Sequence, residues 1–179
     1  HDGTGGRARD LCRDRVIASM RPGPALKRFI RAKVDSLLAP VLERSYDVQA
    51  LALLKPLDGG YLPWTRSAMR PSAVCCILND IVINRRRTVV EFGAGISTLF
   101  MARILAQCGG SLVSFEQDAD WCRTVQQMLH DAGLGAAFEV VHAPLKPCAH
   151  ALHGAPWYDA EVVDGRLEGR SIDLAVVDG

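Results

Sequence analysis

Two acids and two glycines occupy positions where a parallel sheet could use them together. A short apolar run leads to Glu91, the turn Gly93–Gly95 follows, and a second apolar run, 111–115, ends at Glu116. Glycine lets a backbone approach a ligand closely and adopt positive φ without strain. A carboxylate at the tip of the neighbouring parallel strand can accept hydrogen bonds from both hydroxyls of a ribose. The pattern therefore predicts a site for a nucleoside-containing cofactor.

The residues around the turn distinguish two kinds of cofactor. A dinucleotide-binding turn has the pattern G-x-G-x-x-G, and Thr98 stands where its third glycine would lie beside a pyrophosphate. Glu91, expected at the end of its strand and facing the ligand, would repel a pyrophosphate and attract a cation such as the ammonium of a methionyl group. These two residues favour a methionyl cofactor over NAD.

At this point the sequence resembles the class I S-adenosylmethionine-dependent methyltransferases. The first motif of that family is acid-x-Gly-x-Gly, matched here by Glu91 to Gly95, and an acid commonly ends the second strand, as Glu116 does. The resemblance extends from about Leu62 to Gly179. It implies a Rossmann-like, doubly wound and mainly parallel α/β sheet, S-adenosylmethionine as the cofactor, and methyl transfer to an O- or N-nucleophile of a small-molecule or glycan-type acceptor.

The alternation of apolar runs and helix-like segments independently predicts βαβ units with a parallel sheet. The family's sheet has more strands than this sequence supplies, so the chain is interpreted as the N-terminal part of the domain, truncated after about four strands. The span 143–171 is expected to be rich in loops. The predicted elements are strands 88–92, 111–116, 137–142 and 172–178 and helices 97–107 and 118–131.

The first third of the chain is predicted to lie outside the catalytic fold. Residues 1–23 are expected to be flexible, 24–57 to form an amphipathic helical extension, and 58–179 to form the methyltransferase domain. Pro40 is expected to break or kink the extension. A basic amphipathic helix can bind an anionic membrane, but docking on its own domain or on a partner subunit is favoured. The second of these alternatives would give a homo-oligomer through helix 24–54.

The composition excludes several other classes of protein. The net charge is +1 over 179 residues, without the strongly basic patch that nucleic-acid binding requires. No apolar run approaches the ~20 residues of a membrane-spanning helix. The six cysteines contain no C-x-x-C pair, so a zinc site is not expected, and reduced thiols agree with a cytoplasmic protein.

Ligands of such sheets bind outside the carboxyl ends of the strands, which selects the candidate cofactor-binding residues. Ser97 could instead cap the following helix, Glu116 could be a solvated acid before a helix, and Gln117 could contact an adenine edge or serve capping. The loop after the third strand, which includes Ala143, is implied by the resemblance to contact adenine. The predicted cofactor-binding residues are Glu91, Gly93, Ala94, Gly95, Ser97, Glu116, Gln117 and Ala143.

Asp178 is the predicted catalytic residue. By resemblance to catechol and caffeoyl-coenzyme-A O-methyltransferases, an acid at the end of the fourth strand binds a divalent metal, but no other ligand for such a metal is evident in this sequence. Asp178 could also act as a general base or order the next loop. The cluster 157–159 could line a substrate pocket or pack internally, and Trp64 and Ser67 could belong to a lid.

Two other functions remain open from the sequence. One is an NAD-dependent oxidoreductase or epimerase, against which Thr98 and Glu91 argue. The other is a non-catalytic interaction module that keeps the fold and assembles through helix 24–54.

Overall fold

The chain divides into two compact units, His1–Ser45 and Tyr46–Gly179. The division falls inside the long helix α1, Pro24–Leu54. The segment predicted to be flexible lies outside the described residues, apart from Gly23. The computed structural model describes residues 23–57, 59–60, 62–135, 137–148, 151 and 154–178.

In the first unit, α1 exposes a row of large apolar side chains at helical spacing. Eight of them between residues 26 and 42 are 44% to 68% exposed. The helix continues through Pro40, where the sequence predicts a break or a kink. Across the described residues, every helix is too short or too polar to cross a lipid bilayer. The eight residues are Leu26, Phe29, Ile30, Val34, Leu37, Leu38, Val41 and Leu42.

The second unit is built on a parallel sheet. In it, strand Phe138–His142 (β3) pairs with Ser111–Glu116 (β2), β2 pairs with Thr88–Phe92 (β1), and β1 pairs with Leu174–Val177 (β6). The predicted alternation of strands and helices is confirmed, with bounds that shift by one or two residues. The elements are α2 (Pro71–Ile83), β1 (Thr88–Phe92), α3 (Ile96–Cys108), β2 (Ser111–Glu116), α4 (Ala119–Asp131), β3 (Phe138–His142), β4 (Leu145–Pro147), β5 (Pro156–Tyr158), α5 (Ala160–Leu167) and β6 (Leu174–Val177).

The two faces of the sheet bury different parts of the core. Along β1, side chains alternate between the faces, so Val89 joins the larger cluster with Leu99 of α3, while Val90 joins a smaller cluster with Tyr158. Burial on both faces is typical of parallel sheets covered by helices. The carboxyl ends of β1, β2 and β6 therefore come together at one edge between these layers.

The span 143–171, expected to be rich in loops, contains a hairpin and a helix. β4 and β5 pair antiparallel, with Lys146 opposite Trp157. The three residues of β4 are all exposed, so they lack the apolar alternation that predicts a strand. Asp159 begins α5 by accepting a hydrogen bond from the Glu161 amide, and its carboxylate lies 2.7 Å from the Lys146 ammonium.

Candidate functional site

A cleft of about 410 Å³ opens at the carboxyl ends of the strands. Six of the nine residues predicted for cofactor binding or catalysis line this cleft: Gly93, Ala94, Gly95, Glu116, Gln117 and Asp178. The sequence analysis did not assign a site role to most of the others, which are Pro63, Thr65, Ser67, Ala68, Met69, Ile96, Trp121 and Tyr158.

Gly93 is required by the protein's own packing. Its φ is +98°, and a Cβ atom there would lie 1.8 Å from the carbonyl oxygen of Asp178. The Asp178 N–H also donates to the Phe92 carbonyl oxygen at 2.8 Å. The end of β6 therefore presses directly on the start of the turn, and only glycine leaves room for it.

Gly95 is not required in this way. Its φ of −173° is extended backbone that any residue adopts, and no atom lies within 4 Å of the place a Cβ would occupy. Since Gly95 lines the cleft, its missing side chain leaves open space beside the site. A ligand that packs against the turn explains a glycine here better than the fold does.

The backbone amides of the turn are occupied within the protein. The N–H of Gly93 donates to the Phe115 carbonyl oxygen at 2.8 Å, that of Ala94 to Glu116 Oε2 at 3.0 Å, and that of Gly95 to Thr98 Oγ1 at 2.9 Å. A pyrophosphate-binding turn instead directs free N–H groups at the ligand. This turn is therefore poorly suited to a dinucleotide.

Glu116 is fixed at the cleft wall, with 6% of its surface exposed. One carboxylate oxygen accepts the Ala94 N–H and the other accepts the Asp118 N–H at 2.8 Å. An ionised carboxylate can accept about four hydrogen bonds. Two acceptor positions therefore remain for ligand hydroxyls on a side chain that is already oriented.

Trp121, in the first turn of α4, closes another side of the cleft. Its indole N–H donates to the Ala94 carbonyl oxygen at 2.7 Å. Trp121 reaches the turn because Asp118 caps the start of α4, with its carboxylate accepting the Asp120 and Trp121 amides. The sequence signal for this residue was a tryptophan five residues after the acid that ends β2.

Tyr158 and Asp178 complete the wall near β6. The Tyr158 ring lies 5.4 Å from the Phe92 ring, and burial, followed by the nearby charge of Glu116, raises the pKa of Tyr158 to about 12. Burial also raises the pKa of Asp178. The phenol therefore stays protonated near neutral pH, while Asp178 is a better proton acceptor than a solvated aspartate.

Glu91 lies in the core, behind the turn, and is not among the cleft-lining residues. It shares the sheet face of Val89, has no exposed surface, and accepts hydrogen bonds from three hydroxyls. Ser97 Oγ donates to Oε1 at 2.6 Å, whereas Thr98 Oγ1 and Ser114 Oγ donate to Oε2 at 2.5 and 2.7 Å. Burial raises the pKa of Glu91 to about 7 although these donors oppose the shift.

Two other predicted residues also lie outside the cleft lining. Ser97 is 1% exposed and its hydroxyl is directed to Glu91, so it does not cap α3 with its side chain. Ala143 is fully buried, and its N–H donates to the Glu116 carbonyl oxygen at 2.8 Å. Next to it, His142 is exposed and its ring N–H donates to the Gln117 carbonyl oxygen at 3.1 Å.

The segment before α2 lies over the cleft, where the sequence suggested a lid. Ser67 lines the cleft, while Trp64 instead packs on Phe100 of α3 with 6.0 Å between ring centroids. Beyond the segment, Asp47 accepts hydrogen bonds from the Arg70 guanidinium at 2.8 and 3.0 Å and from the Ser72 hydroxyl at 2.6 Å. These contacts hold the segment at its junction with α2.

Asp178 does not belong to a cluster of metal-ligating side chains in the part of the chain that the structure describes. No group of three or more His, Cys, Asp or Glu side chains is placed there to hold a metal ion.

A parallel sheet whose first turn and second-strand acid border one acidic cleft defines a Rossmann-like domain. Residues 90–179 match a protein family described as a methyltransferase domain. The match spans half of the chain, so the protein belongs to this family, and the resemblance to class I methyltransferases is confirmed.

One solved structure with a TM-score above 0.5 shares the fold. The SAH-bound methyltransferase PaMTH1 of Podospora anserina has 14% sequence identity and a TM-score of 0.53, over 82% of this chain and 58% of that one. An O-methyltransferase from Bacillus cereus in complex with SAH has 19% identity and a TM-score of 0.48, over 82% of this chain and 60% of that one. The chain thus spans about three fifths of these proteins. No curated protein sequence matches it.

Proposed function

We propose that the chain binds S-adenosylmethionine in the cleft and serves methyl transfer to an O- or N-nucleophile. The charge of the cleft carries this proposal. Among its described lining residues are two carboxylates, Glu116 and Asp178, and no basic side chain. S-adenosylmethionine presents a positive sulfonium and a positive ammonium to such a surface, whereas NAD presents a negative pyrophosphate, so the cleft attracts the first and repels the second.

The turn and the second-strand acid supply the cofactor contacts in this proposal. The two acceptor positions left on Glu116 suit the two ribose hydroxyls, and the open space at Gly95 admits the cofactor backbone. Gln117 and Ala94 border the same region. Support from related structures is at the level of the fold: PaMTH1 and the Bacillus cereus protein were both solved with SAH.

Asp178 is the proposed general base. In the transfer, a lone pair on the acceptor oxygen or nitrogen attacks the methyl carbon, the carbon–sulfur bond breaks, and its electrons remain on sulfur, which becomes a neutral thioether. The acceptor proton passes to the Asp178 carboxylate, whose pKa is raised by burial. A small molecule or a glycan-type compound is the proposed acceptor.

Calorimetric titration with S-adenosylmethionine, S-adenosylhomocysteine and NADH in parallel tests the cofactor. We expect micromolar binding of the first two and none of NADH. Binding of NADH alone would favour the oxidoreductase alternative. Absence of all three from a folded sample would favour the non-catalytic module, for which self-association through α1 is a prediction that sedimentation can test.

The variant Glu116→Gln tests the site within the cleft. Loss of hydrogen bonds to a charged acceptor costs about 1.5–3 kcal/mol, so S-adenosylmethionine should bind about 10- to 100-fold more weakly. Glu139→Gln is the matched control, since Glu139 lies on the neighbouring strand, outside the cleft, paired with Arg166 and Arg170. Equal affinity for the two variants would remove Glu116 from the site.

A further inference from the structure

A carboxylate buried behind the cofactor turn contacts the turn only through another side chain. Glu91 has no exposed surface and does not line the cleft. Burying a carboxylate is costly even when it is hydrogen-bonded, and an apolar side chain of similar size would fill the same space at lower cost. The carboxylate therefore needs an explanation in what it orients.

Thr98 connects Glu91 to the turn. Thr98 donates its hydroxyl hydrogen to Glu91 Oε2, 2.5 Å away. The lone pairs of the same hydroxyl are then directed to the Gly95 N–H, which donates to it at 2.9 Å. A threonine at this helix position accepts the amide of the residue that begins the helix, as in half of a capping box.

We propose that Glu91 is a positioning residue that acts from behind the turn: it orients the Thr98 hydroxyl, which holds the Gly95 amide at the wall of the cleft. The proposal rests on the proposed cofactor site, because it explains how that site is shaped. It also gives Thr98 a role where a dinucleotide-binding turn has a glycine. Glu91 itself makes no contact with the cofactor.

Ser114 provides a matched control. Its hydroxyl donates to the same carboxylate oxygen as that of Thr98, at 2.7 Å, but it lies on β2 and makes no hydrogen bond to the turn. Thr98→Val and Ser114→Ala each remove one hydroxyl from Oε2, and only the first also removes the acceptor of the Gly95 amide. Thr98→Ser restores that acceptor.

The experiment measures two quantities on each variant: hydrogen exchange at the Gly95 amide without ligand, and the Kd of S-adenosylhomocysteine. We expect Thr98→Val and Glu91→Gln to speed exchange and raise Kd about tenfold, the loss of one hydrogen bond of about 1.4 kcal/mol. Ser114→Ala and Thr98→Ser should keep both values within about twofold of the wild type.

Equal exchange rates at the Gly95 amide in Thr98→Val and Ser114→Ala would overturn the proposal, because Glu91 and its hydroxyl partners would then only fill the core. Exchange at Gly95 is measured without any cofactor, so it tests the positioning role even if the wild type binds none of the nucleosides. A wild type that binds none of the nucleosides would count against the proposed function alone. If Thr98→Val does not fold, the comparison between Glu91→Gln and Ser114→Ala gives the same decision.

Discussion

Glu91 and Glu116 lie at the carboxyl ends of neighbouring parallel strands, and both are almost inaccessible to solvent, with exposed fractions of 0% and 6%. Glu116 faces the cleft and accepts two backbone amides, whereas Glu91 faces the core and accepts three side-chain hydroxyls. The region in front of the turn keeps acceptor positions open for a ligand. The region behind it is closed and can influence a ligand only through the turn.

The two glycines of the turn differ in the same way. Gly93 is demanded by the backbone of Asp178, which leaves no space for a side chain. Gly95 is surrounded by open space on the side where its Cβ would lie. One motif therefore combines a glycine that the fold needs with a glycine that a bound ligand would explain. The residue type alone does not separate these two roles.

The largest expected effect comes from replacing each glycine by alanine. Gly93→Ala should lower the free energy of unfolding by more than about 3 kcal/mol, because it adds a backbone collision to a positive φ. Gly95→Ala should change stability by less than about 1 kcal/mol but weaken S-adenosylmethionine binding about 10- to 100-fold, from a steric conflict of about 1–3 kcal/mol. Chemical denaturation and calorimetry measure the two quantities. Similar losses of stability in both variants would contradict the distinction between Gly93 and Gly95.

A smaller effect concerns pH. The folded-state pKa of Glu91 is raised to about 7 from 4.5, so the native state holds this proton more tightly than the unfolded chain does. Stability from this group is present below the unfolded value and is lost as pH rises toward 7. The free energy of unfolding of the wild type, relative to Glu91→Gln, should fall by roughly 2–3 kcal/mol between about pH 5 and pH 8.

Subtracting the unfolding free energies of Glu91→Gln at each pH cancels the contribution of the carboxylates whose pKa values are lowered, because they titrate in both proteins. Asp47, Asp80 and Asp173 are such carboxylates. The same measurement on Glu116→Gln provides the comparison for the carboxylate that faces the cleft. A pH-independent difference between wild type and Glu91→Gln would show that Glu91 does not titrate in this window.

The smallest effect tests the charge in front of the turn. Asp178→Asn should weaken S-adenosylmethionine binding about 3- to 10-fold more than S-adenosylhomocysteine binding, since only the first carries a sulfonium charge, a difference of about 1 kcal/mol. The Asp178 backbone, which packs on Gly93, is unchanged. Asp164→Asn, on exposed α5 outside the cleft, is the control. An equal loss for both ligands would mean that Asp178 does not sense the sulfonium.

The sequence predicted the parallel sheet and the glycine turn because apolar runs, helical spacing and strand–helix alternation are local properties. It predicted that Glu91 faces the ligand, whereas the side chain is buried on the face of Val89, toward α3, as period two along β1 requires. A polar Ser114 between two apolar residues of β2 was the available signal for a buried acceptor. Burial was not obvious, because an acid at a strand end is usually solvated.

The region after β3 was predicted least well for a different reason. Its hairpin consists of two three-residue strands, one of them fully exposed, so no period could develop. Tyr158 reaches the cleft only because this hairpin folds back over Phe92. Similarly, the placement of residues 63–69 over the cleft depends on contacts such as that between Asp47 and Arg70, which are distant in the sequence.

The contact between Gly93 and the Asp178 carbonyl has a mechanical consequence. With no space for even one methyl group between them, and with a hydrogen bond from Asp178 to Phe92, the two backbones cannot shift independently. Any displacement at the end of β6, where the proposed base would act on the acceptor, is therefore transmitted to the turn proposed to bind the cofactor. The proposed base and the proposed cofactor-binding turn are therefore coupled through one rigid backbone contact.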